Sequence, residues 1–245
     1  MQPLLFNYCL IRGNKYLDMK RISILFLIAI VSFSTALAQS VETRSLGSFS
    51  KISVGEAITL ILVPGSKNEA KIKAENIDLE DVETDVNGSR LKIGLSGSRH
   101  RNIDVTITLT YKSIEAINVS SAADVVTKGT IKAEFLDISV SSAGDADLDI
   151  NAKEIDVNVS SAGTLSLSGK CLSQRVEVSS AGEYHGYDLV SEEVYAKASS
   201  AGSVRVNATK KVDAKASSAG SVKYKGDPAK VYINSNSGGH AGKSH

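Results

Sequence analysis

An all-β solenoid is the fold class this sequence predicts, and three observations predict it. A four-residue phrase, Ser-Ser-Ala-Gly, returns at Ser141–Gly144, Ser160–Gly163, Ser179–Gly182, Ser199–Gly202 and Ser217–Gly220, with a forerunner at Ser120–Ala123 and a degenerate copy at Asn236–Gly239. The steps between copies are 21, 19, 19, 20, 18 and 19 residues, and self-similarity at such a period marks coils that bury their apolar face only against their neighbours. Around each copy apolar and polar residues alternate with the period of a half-buried strand, and no long helical periodicity follows residue 38. About seven coils of 18–21 residues result.

An export signal is expected near the start of the chain. Lys20 and Arg21 precede an apolar run from Ile22 to Val31, and Ala36-Leu37-Ala38 supplies a small-x-small cleavage site. The run is shorter than the roughly 20 residues a bilayer needs, so no stable membrane span is expected once it is removed. Met19 is the expected start and cleavage is expected after Ala38, with residues 1–18 an upstream extension. Taking residues 1–38 away removes four of 28 bases and one of 27 acids, which leaves 24 against 26 and a net charge near −2. That balance gives no support to nucleic-acid binding. Cys171 is then the single cysteine, too few for an internal disulfide or a thiolate metal site, and a buried small apolar role fits it best.

Residues 39–113 form a strand-rich segment expected to cap the first coil, whose apolar end and open edge would otherwise invite aggregation. Candidate strands are Lys51–Val54, Ala57–Val63, Ala70–Ala74, Val82–Val86, Arg90–Leu95 and Ile103–Tyr111, and Asn87-Gly88 is a strong hairpin signal. Residues 114–239 hold the repeats, and 240–245 are a polar tail.

Within a coil the phase can be followed through the phrase. Leu136, Ile138 and Val140 lead in, and Ala146, Leu148 and Ile150 lead out, all of one parity. Carried through, that parity places Ser121, Ser142, Ser161, Ser180, Ser200 and Ser218 inside, with Gly144, Gly163, Gly182, Gly202 and Gly220. The phrase is then a corner where stacked coils about 4.8 Å apart leave room only for small side chains, with glycine supplying unusual backbone angles. The serine hydroxyls would bond backbone groups that the corner leaves unpaired. A looser return of about five residues would close each coil.

At these residues the chain resembles a known family, the auto-transporter adhesin head GIN domain of exported Bacteroidetes-type proteins. The resemblance is carried by Gly47 to Val54, by Arg90-Leu91-Lys92-Ile93, by Ile117 to Asp124 and by the corners that follow. It implies a right-handed parallel β-helix and an envelope or surface role, and it brings no catalytic residues.

Function, on this reading, lies on the outward positions. After each corner they run Asp124, Val126, Lys128; Asp145, Asp147, Asp149; Thr164, Ser166, Ser168; Glu183, His185, Tyr187; Ser203, Arg205, Asn207; and Ser221, Lys223, Lys225. Residues 115–160 hold nine acids and three bases, whereas 194–230 hold eight bases and two acids. A basic face of Lys197, Arg205, Lys215, Lys223 and Lys225 is therefore expected to meet an anionic glycan or other cell-surface component, or the acidic face of Asp124, Asp145, Asp147 and Asp149 on a second copy. Exported, in the periplasm, at the outer surface or secreted, the protein reads as a non-catalytic adhesion module. A self-assembling envelope scaffold is the alternative, and a β-helix polysaccharide-active enzyme a weaker one.

Catalytic, metal and cofactor sites are expected to be absent. The three aspartates after the second corner lie about 6.8 Å apart along one strand and do not converge as calcium requires. Asp147, Ser166 and His185 form a column, but the histidine is not between the other two. His100, His240 and His245 are scattered. Coils this short leave no room for the long loops that wall a polysaccharide cleft. Tyr187, Tyr195 and Tyr232 are the outward aromatic residues on the repeats that could stack on sugars.

Overall fold

A computed structural model describes residues 40–97 and 102–244. The export signal expected over residues 1–38 lies outside them, as do His100 and His245. The described residues belong to one compact unit and are all-β apart from a single 3-10 turn at Leu79–Asp81.

Seventeen strands build the described residues: β1 (Ser40–Ser45), β2 (Lys51–Val54), β3 (Thr59–Pro64), β4 (Glu69–Glu75), β5 (Val82–Asn87), β6 (Arg90–Leu95), β7 (Asp104–Tyr111), β8 (Ala116–Val119), β9 (Asp124–Thr127), β10 (Ile131–Val140), β11 (Asp145–Val159), β12 (Thr164–Val178), β13 (Glu183–Ala198), β14 (Ser203–Ala216), β15 (Ser221–Lys225), β16 (Lys230–Ser235) and β17 (His240–Lys243). Parallel ladders join successive coils at the spacing of the repeat: Ile131 sits beside Ile150, Asp145 beside Thr164 and Thr164 beside Glu183. The fold is the expected β-solenoid of about seven turns.

Each coil has two legs. One follows the corner, as in Asp145–Ala152; the other precedes the next corner, as in Glu154–Val159. The return between them is not a loose loop. β11 runs unbroken for 15 residues, and the bend is marked only by two successive outward residues, Lys153 and Glu154, after which Ile155 is again buried. Backbone bonds from coil to coil carry the ladder around the bend, so no irregular segment has to find other partners for its polar groups.

The corner differs from the parity expectation. Gly144, Gly163, Gly182, Gly202 and Gly220 are buried as predicted, but Ser121, Ser142, Ser161, Ser180, Ser200 and Ser218 are exposed. The second serine and the alanine of each copy both adopt left-handed angles, for example Ser142 at φ 52° and Ala143 at φ 57°. Gly144 N–H closes the turn by donating to the Ser141 carbonyl at 2.9 Å. Two consecutive left-handed residues are the arrangement of a type I′ turn, and they swing both side chains outward while parity resumes at the glycine. The backbone groups that the serine hydroxyls were expected to serve are met instead by the next coil: Ala143 N–H donates to the Ser161 carbonyl, Ala162 to Ser180 and Ala181 to Ser200, at 3.0–3.1 Å.

Glycine's role at the corner is therefore space, not angle. A Cβ on Gly202 would lie 2.8 Å from the Val178 carbonyl oxygen, and one on Gly220 would lie 2.6 Å from the Ala198 backbone. The unusual angles fall on the residues before it.

The segment ahead of the repeats contributes a coil of its own. β2 lies between β6 and β8, and β3 between β7 and β9, all parallel. Its corner, Gly55-Glu56-Ala57-Ile58, lacks the repeated phrase yet has the same angles, with Glu56 at φ 62° and Ala57 at φ 56°, and Ala57 N–H donates to the Ser121 carbonyl. Beyond β6 and β7 lie antiparallel strands: β5 on β6 through the expected Asn87-Gly88 hairpin, β4 on β7, and β1 on β4.

Candidate binding face

The ladder fixes which outward residues are neighbours. On the first leg one column runs Asp124, Asp145, Thr164, Glu183, Ser203, Ser221, His240, and the next runs Val126, Asp147, Ser166, His185, Arg205, Lys223. On the second leg the columns run Asp137, Asp156, Arg175, Tyr195, Asp213, Tyr232, and Ser139, Asn158, Glu177, Lys197, Lys215, Asn234. Both legs begin with acids and acquire bases along the stack.

The acidic residues Asp124, Asp145 and Asp147 adjoin one another on the first leg. Partial burial raises the Asp145 carboxyl above the ordinary aspartate value, and repulsion from Asp124 and Asp147 adds to it, while His185 opposes the shift. Asp149 stands apart: it is half-buried and accepts the Ser168 hydroxyl at 3.3 Å. Asp156 on the second leg is raised in the same way, first by desolvation and then by Asp137, with Arg175 opposing. Among the described residues no group of three or more acidic, histidine or cysteine side chains is placed to hold a metal.

The five bases expected to share one face are divided between the legs. Arg205, Lys223 and Lys225 lie on the first, Lys197 and Lys215 on the second. Several have an acid nearby: Lys197 is 3.5 Å from Glu177, Lys215 is 3.9 Å from Asp213, and Lys225 is 3.8 Å from Asp188. Exposed pairs of this kind are worth about 0–1 kcal/mol and yield readily to a competing anion. Tyr187 does not continue the column of Ser168, because the 20-residue coil carries a bulge that pairs Ser168 with Asp188; Lys225 instead lies 5.3 Å over the Tyr187 ring.

Around Tyr195 the second leg gathers a basic cluster. The Arg175 guanidinium lies 4.6 Å from the ring centroid and the Lys215 ammonium 5.0 Å, so two cations from the flanking coils share one aromatic face-bearing side chain. Lys197 lies in the adjoining column. Arg175 was not among the expected binding residues; its offset from Tyr195 by one coil was the signal that could have found it.

The column of Asp147, Ser166 and His185 offers no nucleophile geometry. His185 Nδ1 is 2.7 Å from Arg205, and its Nε2 is 3.2 Å from Glu183. Arginine only donates, so Nδ1 is engaged as an acceptor and is not free to serve as a base.

Two features escaped the sequence. Within the coils, Tyr184 donates to Gln174 Oε1 at 2.8 Å, Gln174 Nε2 donates to Ser191 Oγ at 2.5 Å, and Ser191 meets the Cys171 thiol at 3.2 Å. Cys171 is buried as expected, and burial pushes its thiol upward although the Ser191 contact opposes this. Gly186 makes room for the tyrosine, since a Cβ there would lie 2.6 Å from the ring. Along the return bend runs a groove of about 720 Å³, with Ala152 and Cys171 in its lining, exposed Leu172 and Val190, and Lys132 and Lys170 beside them.

Comparison with known proteins places this geometry. The family described as "Putative auto-transporter adhesin, head GIN domain" matches residues 48–228. The chain belongs to that family. Solved relatives share the fold of the head GIN chain. A "putative adhesin" from Bacteroides fragilis is 19% identical with a TM-score of 0.77, covering 84% of this chain and 97% of its own. Another from Parabacteroides merdae is 17% identical with a TM-score of 0.71, covering 84% and 96%. A "putative lipid binding protein" from Parabacteroides distasonis is 16% identical with a TM-score of 0.66, covering 84% and 97%. No curated protein matches. Among the described residues no helix is long and apolar enough to cross a membrane.

Proposed function

We propose that the protein is an exported, non-catalytic adhesion module that binds an anionic glycan on the second leg of its late coils. The observation that supports this reading is the cluster around Tyr195: Arg175, Lys197 and Lys215 present three cations across consecutive coils beside an aromatic ring. A sulfated or uronate polymer lying along the stack would displace the weak contacts to Glu177 and Asp213 and gain charge-assisted bonds from each coil. Repetition at the coil spacing suits a repeating ligand.

The test is binding of a uronate polysaccharide to the purified chain at rising salt. Affinity falls as salt rises, and Arg175→Gln with Lys215→Gln weakens it by about tenfold or more, since each charge-assisted bond contributes about 1.5–3 kcal/mol. Binding that ignores both salt and the double variant would remove the reading.

The groove at the return bend favours a second reading, an amphiphile with an anionic head. Leu172 and Val190 are exposed there, and Lys132 and Lys170 flank the opening. Anionic vesicles in the same titration separate the two, because Leu172→Ser would weaken vesicle binding and leave the polysaccharide unaffected.

A further inference from the structure

The two ends of the stack differ, and their chemistry is complementary. At one end the outermost strands are β5, laddered to β6, and β1, laddered to β4; at the other they are β16, laddered to β14, and β17, laddered to β15. The opposite edges of β1, β16 and β17 meet no further strand among the described residues, whereas on β5 the Val82 carbonyl accepts the Arg44 guanidinium, which also donates to the Thr84 hydroxyl. Following the ladders, β5 and β16 terminate the second-leg side, whereas β1 and β17 terminate the first-leg side. Exposed strand edges are templates for pairing with another chain.

Apolar exposure is concentrated on the same strands. Of the seven large hydrophobic residues exposed among those described, four lie there: Val41 on β1, at 52%, and Val231, Tyr232 and Ile233 on β16, at 42%, 54% and 47%. In the coil before, the partners of Val231 and Ile233 are Val212 and Ala214, both fully buried. The last coil thus carries core-phase side chains with nothing stacked on them.

Charge selects the occupant. Residues 78–85 hold Asp78, Glu80, Asp81, Glu83 and Asp85; Arg44 bonds the Val82 carbonyl beside them and Lys92 pairs with Glu83 at 2.7 Å, which leaves acids in excess. The opposite end carries Lys223, Lys225, Lys230 and Lys243 against Asp227. Two basic ends would repel one another, and so would two acidic ends.

We infer that the protein associates head to tail with further copies of itself, β17 of one molecule laddering onto β1 of the next, which projects one strand beyond β5. Strand directions are compatible with this. β1 is antiparallel to β4, and β4 to β7, so β17 meets β1 in parallel. Such a contact is heterologous and does not close on itself, giving growing chains of copies instead of a dimer. The acidic partner is this end of the stack and not Asp124, Asp145 and Asp147, which lie on inner coils with neighbours on both sides. The inference does not depend on the glycan reading.

Sedimentation of the purified chain over a wide concentration range tests it, with Val41→Lys at one end and Ile233→Lys at the other. The wild-type mass is expected to keep rising with concentration, and each variant alone to stay monomeric. A mixture of the two variants restores one intact contact and stops at a one-to-one dimer. Lys223→Glu with Lys230→Glu, at two exposed lysines, is expected to act as Ile233→Lys does. A wild type that stays monomeric throughout overturns the inference. So does one that stops at a dimer unaffected by Val41→Lys, since that contact would join like ends.

Discussion

At six corners, from Ser121-Ala122 to Ser218-Ala219, serine and alanine occupy angles that favour glycine or asparagine. A left-handed residue with a Cβ costs about 1–2 kcal/mol, and Ala162, at φ 58°, is exposed and gains no packing in return. Glycine there would relieve that strain while costing roughly 0.5–1 kcal/mol in chain entropy. Ala162→Gly is therefore expected to stabilise the protein by about 0.5–1 kcal/mol in denaturant unfolding. Gly220→Ala does the reverse, because its Cβ would meet the Ala198 backbone at 2.6 Å; a loss of about 1–3 kcal/mol is expected. Equal effects at the two positions would show that the corner does not separate angle from space. The repeated phrase made the corner legible in the sequence, but its serine was misplaced. Parity counting assumes an extended chain, and two left-handed residues break that assumption for the span of the turn.

Single strands carry both legs of a coil, and the point where they bend holds the buried polar chain from Tyr184 to Cys171. Gln174 and Ser191 are the buried polar residues among those described. Their hydrogen bonds satisfy one another in sequence, so removing one member leaves a buried group unpaired. Ser191→Ala strands the Gln174 amide N–H, and a loss of about 1–3 kcal/mol is expected by chemical denaturation. A change near zero would mean that the amide finds another partner. This network could not be read from the chain. Gln174 follows Leu172 and Ser173, two outward residues in a row, and only the bend explains why the phase slips there. The coil of β2 and β3 was hidden for a different reason: its corner reads Gly55-Glu56-Ala57-Ile58, and the shared feature is the backbone angle rather than the residue type.

Over the whole molecule, stability propagates from coil to coil, each contacting its neighbours only. Inner coils have a ladder on both sides. The six residues of β16 are exposed throughout, and this strand ladders on one side. Amide exchange is expected to be fastest in β16 and β17 and slowest in β11 to β13, with protection rising inward coil by coil. Uniform protection from β11 to β17 would contradict a stack that opens from that end. Should copies join end to end, protection of β17 would grow with concentration, linking this measurement to the association test.

The sequence by itself determined the all-β class, the solenoid, the coil length and the gradation of charge, because a repeat that stacks in register writes each coil's requirements into every copy. It also placed Cys171 and the glycines inside, since alternation along a strand is a local property. The tertiary structure decided which charged residues share a leg: Lys197 and Lys215 lie on the second, Arg205, Lys223 and Lys225 on the first, and Arg175 joins Tyr195. It also decided which strands end the stack, as β2 and β3 lie within it although they come before β6 and β7 in the chain. Neighbourhood across coils depends on where each leg bends and how the early strands interleave, and those are set by packing against residues far away in the chain.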